Sequence, residues 1–131
     1  MKLRSFNPDT VPVTQGKALI SLNAKAGTVR FNKRISEQLG LKDKSQIELL
    51  QDEEDPATWF LAIVPTGGFP LRKKESSSGF DGYTFNSVAV VRQIFESVGF
   101  KGQSGSIGTA PEPETIEKRK MWRLITARLT A

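Results

Sequence analysis

The feature that most constrains this chain is an internal repeat. Phe31-Asn32, a short amphipathic stretch, Leu39-Gly40-Leu41-Lys42, Gln46-Ile47 and Trp59-Phe60-Leu61-Ala62-Ile63 follow one another in the first half. The second half repeats the order as Phe85-Asn86, a longer amphipathic stretch, Val98-Gly99-Phe100-Lys101, Ser106-Ile107 and Met121-Trp122-Arg123-Leu124-Ile125. Each copy reads as strand, capped helix, glycine stop and hairpin, and is too small to bury its own apolar face. The two must complete each other. The expected organisation is an N-terminal arm over 1–17, a first half over 18–64, a linker at 65–68 and a second half over 69–129.

Local signals fill in these units. Residues 18–23 alternate apolar and polar side chains as a half-buried strand does, Lys25-Ala26-Gly27 is a turn, and 28–31 is a second strand. Asn32 has the side chain to cap a helix over 33–39, which Gly40 stops. Strands follow at 46–50 and 58–64, joined by the acidic turn at Asp52-Glu53-Glu54-Asp55. The second of them is apolar on both faces and belongs at the centre of a sheet. Residues 76–79 are a loop. Asn86 is the expected cap of a helix over 87–98 with a core stripe of Val88, Val91, Ile94, Phe95 and Val98. A strand over 104–109, a proline-rich charged loop over 110–120 and a closing strand over 121–129 complete the chain.

Chemistry is bounded by what is missing. The chain has no cysteine and no histidine, which removes disulfides, thiolate nucleophiles, the usual zinc ligands and the commonest general base. The expectation is a non-enzyme without cofactor or metal, and neither a signal core nor a membrane-spanning run is present, so a cytoplasmic location is expected. The acidic turn lacks the alternation and central glycine of a calcium loop and reads as solvated. The glycines from Gly99 to Gly108 are followed by no glycine-Lys-Ser/Thr arrangement and so do not make a phosphate-binding loop. Trp59 and Trp122 occupy matching repeat positions and read as core rather than stacking platforms.

Charge points to a polyanion. The net charge is +5, and residues 1–34 hold seven basic side chains (Lys2, Arg4, Lys17, Lys25, Arg30, Lys33, Arg34) against Asp9 alone. Lys33 and Arg34 start a helix, where the macrodipole disfavours positive charge. Arg72-Lys73-Lys74 either follows a phosphate backbone or guards an edge strand.

Gly27-Thr28-Val29-Arg30-Phe31-Asn32, a short helix, Leu39-Gly40-Leu41, then Ile47-Glu48-Leu49 and an acidic hairpin resemble the AbrB/MazE/SpoVT swapped-hairpin family of bacterial DNA-binding regulators and antitoxins. The resemblance covers residues 18–64. It implies an α+β, mainly β fold in which two swapped-hairpin copies interlock as one barrel, here as a pseudo-dimer within one chain or as a homodimer. The second copy keeps the skeleton with a longer helix. The chain departs from the family at Asn32, at Lys44-Ser45, and at Thr28, Ser36 and Glu37, where basic residues are common. The implied function is DNA binding through Lys25, Arg30, Lys33 and Arg34, with Arg72, Lys73 and Lys74 as a second patch. The alternative is a protein-interaction or structural module, of phage or mobile-element type, that keeps the fold without binding DNA.

Overall fold

Two short helices begin and end where side-chain chemistry dictates. In this computed structural model, which describes residues 18–77 and 79–126, α1 spans Lys33–Leu39 and the Asn32 Oδ1 accepts from the Ile35 amide at 2.9 Å. Helix α2 spans Val88–Val98. Its cap is Ser87, whose Oγ accepts from the Val90 amide at 3.3 Å, and not Asn86 as expected. Asn86 is held in a strand ladder opposite Thr28, so the next residue makes the turn into the helix. The left-handed residues Gly40 and Gly99 stop the two helices.

The fold is α+β and mainly β, with two antiparallel five-stranded sheets. Before α1 come β1 (Ile20–Asn23) and β2 (Thr28–Phe31), and after it β3 (Gln46–Gln51) and β4 (Trp59–Val64). The second half supplies β5 (Phe69–Pro70), β6 (Arg72–Ser76) and β7 (Gly79–Asn86) before α2. After it come β8 (Ser104–Ile107), β9 (Glu114–Ile116) and β10 (Arg119–Arg123). The first sheet runs β6-β7-β2-β1-β8 and the second β5-β3-β4-β10-β9. Each sheet therefore draws strands from both halves. Helix α1 packs on β7 and α2 on β2, so the helices cross over as well.

At the middle of the first sheet Arg30 pairs with Thr84, and in the second Phe60 pairs with Arg123. The apolar strand β4 is central, as its two-sided hydrophobicity predicts. The sheets adjoin at two seams without forming a closed barrel among the described residues, which corrects the expectation of one. At the first seam Phe69 and Pro70 pair with β3, the Leu71 amide donates to the Ser45 carbonyl at 2.8 Å, and the chain then leaves for the first sheet. Pro70 has no amide hydrogen with which to extend the ladder. At the second seam β8 ends at Ile107 instead of 109, and only a single bridge joins Thr109 to Leu124.

The core lies between the sheets and under the helices. Phe31, Ile35, Ile47, Leu61, Ile94 and Ile107 are almost completely buried. Trp59 and Trp122 are buried too, and the Trp59 Nε1 donates to the Ser97 Oγ of α2 at 2.8 Å. Val91, Ile94 and Phe95 form the buried stripe of α2, whereas Val88 is exposed and leaves the expected set. The stretch 110–120 is not a plain loop: β9 and β10 form a hairpin whose turn residues, Glu117 and Lys118, have φ of 52° and 66°. The closing strand ends at Arg123, and residues 127–129 lie outside the described residues, as does the arm at 1–17. No described helix is long and apolar enough to cross a membrane.

Candidate nucleic-acid interface

Alternation in the first sheet builds a polar surface. Ile20, Leu22, Val29, Phe31, Phe85 and Ile107 turn inward, so the residues between them turn outward. One outward row runs in register across all five strands as Arg72, Thr84, Arg30, Ser21 and Ser106. The next reads Asn86, Thr28, Asn23 and Ser104. Neither row contains an apolar side chain. An open cavity of about 380 Å³ lies on this face; Arg30, Lys74 and the hydroxyl and amide residues that β1, β2 and β8 give to the two rows line it together with Leu22 and Gly105.

The seven cations expected at the site are arranged unequally around it. Arg30 stands at the centre and is ion-paired with Asp81. Arg72 donates to the Asn86 Oδ1 at 2.8 Å and forms no ion pair among the described residues. Lys74 lines the cavity and forms no ion pair among the described residues. Lys73 lies with Glu75 at 3.3 Å and over the Phe80 ring, which removes it from the set of free charges. Strand β6, which carries these last three residues, is the edge of its sheet. Their charge therefore also discourages pairing with another chain.

Lys25, Lys33 and Arg34 stand at the two ends of β2. Lys25 is exposed in the β1–β2 turn, where the Asn23 Oδ1 accepts from the amides of Lys25 and Ala26 at 3.0 Å each. That turn is anchored to α2: the Ser87 amide donates to the Gly27 carbonyl at 2.7 Å. A Cβ at position 27 would lie 2.6 Å from Val88, so only glycine fits. Lys33 and Arg34 are exposed in the first turn of α1, which holds no acid. Neither forms an ion pair among the described residues. Four strand residues separate the two ends, a rise of roughly 13 Å.

Other candidates are accounted for locally. In the acidic turn the Asp52 Oδ1 accepts from the Glu54 amide and the Asp55 Oδ2 from the Thr58 hydroxyl. No group of three or more acidic residues suited to a metal is found among the described residues. The hydroxyl and amide rows were missed by sequence reasoning, although the alternation of Ser104 and Ser106 with Gly105 and Ile107 contains the signal. Asp81, the acid at the centre, was missed as well. Comparison with family models, with curated proteins and with solved structures finds no match to this chain.

Proposed function

We propose that this chain is a nucleic-acid-binding regulator of the AbrB-like type, built as an intertwined pseudo-dimer, and that it lays duplex DNA along the outer face of its first sheet. The observation that carries this reading is the face itself: its two central rows have no apolar side chain, and among the described residues its cations Arg30, Arg72 and Lys74 meet one acid, Asp81. Lys25 at one end and Lys33 and Arg34 at the other extend the positive surface. Short hydroxyl and amide side chains between cations suit phosphate contacts that set position. Single strands favour exposed aromatic rings on which bases stack, and these rows have none.

The pairing register supports the pseudo-dimer. If Phe31 corresponds to Phe85, then Arg30 corresponds to Thr84, and those two residues face each other across β2 and β7. If Trp59 corresponds to Trp122, then Phe60 corresponds to Arg123, and these also pair. Such pairing is what a two-fold relation between the halves would give, whereas Gln46-Ile47 and its repeat counterpart Ser106-Ile107 lie in different sheets and fall outside that relation. The reciprocal packing of α1 on β7 and α2 on β2 follows the same symmetry.

The test is the salt dependence of binding to a mixed-sequence DNA duplex by mobility shift. Each phosphate contact contributes about 0.9 to the steepness of log affinity against log salt, so Lys33→Ala with Arg34→Ala should flatten it by about 1.8. Thermal stability should hardly change, because both side chains are exposed. Absence of salt-dependent binding to any duplex overturns the reading in favour of an interaction module.

A further inference from the structure

We infer that Asp81 is a built-in competitor for phosphate at Arg30, so that the central cation of the face is masked until a polyanion displaces the carboxylate. This rests on the nucleic-acid reading above. Both side chains are about a third exposed, at 37% and 38%, so the pair lies at the surface where a ligand can reach it. A carboxylate on a guanidinium occupies the same donor fork that a phosphate would use.

The backbone is shaped to deliver this acid. Along β6 and β7 the register runs Lys73 to Tyr83 and then Glu75 to Phe80, so Asp81 and Gly82 together oppose Lys74. This is a β-bulge, a device that re-aims a side chain. Gly82 has φ of 103°, and a Cβ there would collide with the Phe31 carbonyl oxygen. The bulge therefore needs glycine. Without it, strand alternation would send residue 81 to the same side as the buried Tyr83 and Phe85. Instead its carboxylate meets Arg30, which lines the cavity together with Lys74.

A masked cation changes binding in a measurable way. The Arg30–Asp81 pair carries no net charge, so when a phosphate displaces the carboxylate one uncompensated acid is left beside the DNA and the pair as a whole adds nothing to the salt slope. Asp81→Asn frees the Arg30 charge and should steepen the slope by about 0.9, so that a tenfold rise in salt costs the variant about eightfold more affinity than wild type. Arg30→Gln should flatten the slope in the wild-type background, because it leaves the Asp81 charge unpaired on the face, and should abolish the gain in the Asp81→Asn background. This double-mutant cycle uses the full chain and a mixed-sequence DNA duplex, with thermal melting to show that all four proteins are folded. If Asp81→Asn leaves the slope unchanged or weakens binding while wild type binds, the carboxylate orients Arg30 instead of masking it and the inference is overturned. If none of the four folded proteins binds, the nucleic-acid reading fails and takes this inference with it.

Discussion

The outer faces of the two sheets are made by the same strand alternation and come out opposite in character. On the first sheet the outward rows are hydroxyls, amides and cations, and among the described residues the three cations on that face meet Asp81 alone. On the second sheet Ala62 and Met121 point away from the main core, being the neighbours of inward Leu61 and Trp122, yet both are buried. Their cover consists of paired charges. Arg119 reaches Glu48 at 2.7 Å, from β10 across β4 to β3, and so passes over the strand that carries Ala62. Arg123 bonds to Glu114 at 3.0 Å and lies over the Phe60 ring. Two cations there meet two acids. The second face is closed by its own side chains, whereas the first leaves charge for something else to neutralise.

That contrast sets the expected effects of substitution. Met121→Ala removes a buried side chain from under the ion pairs and should cost about 2–5 kcal/mol in unfolding free energy, as deletions from a packed core do. Ser21→Ala, at the centre of the other face, should stay within about 0.5 kcal/mol. Denaturant titrations of the two variants check this. Equal costs would mean that the first face is as structural as the second. A much smaller effect concerns acid. The hydrogen bonds from Arg123 hold the Glu114 carboxyl below the ordinary carboxylate value, against a desolvation effect that raises it, and the charge of Arg123 adds to the lowering. A carboxyl lowered in the folded state contributes stability at pH above its unfolded value, and that contribution fades as pH falls through the folded one. Melting temperatures of wild type and Glu114→Gln should therefore differ slightly near neutrality and converge in acid. A gap that widens in acid would break the account of this pair.

Much of the first half was legible because its signals are local. Asn32 and Gly40 bound α1 at the expected residues, and the two-sided apolar run at 59–64 marks β4 as central. The second half was harder for identifiable reasons. Asn86 and Ser87 are both good caps, and only the ladder to Thr28 decides between them. The β9–β10 turn places Glu117 and Lys118 at positive φ, where the usual signal is asparagine or glycine, so nothing local announces the hairpin. Barrel closure depends on how far pairing runs at two seams, where β5 meets β3 and where Thr109 meets Leu124, and no local signal reports that. At the candidate site the cations could be named from sequence but not sorted. Arg30 and Asp81 are 51 positions apart, and no periodicity reveals which acid neutralises which base. The hydroxyl rows come from four strands and become a surface only through their register.

The central claim is that the first sheet's outer face is the one that meets nucleic acid. Backbone amide shifts, followed by NMR while a mixed-sequence DNA duplex is titrated into the protein at low salt, test it most directly. The account predicts that Ser21, Thr28, Arg30, Thr84 and Ser106 move together with Lys25 and Lys33, while Glu48, Phe60, Arg119 and Met121 stay in place. Perturbations centred on the second sheet, or no perturbation at any salt, would contradict it.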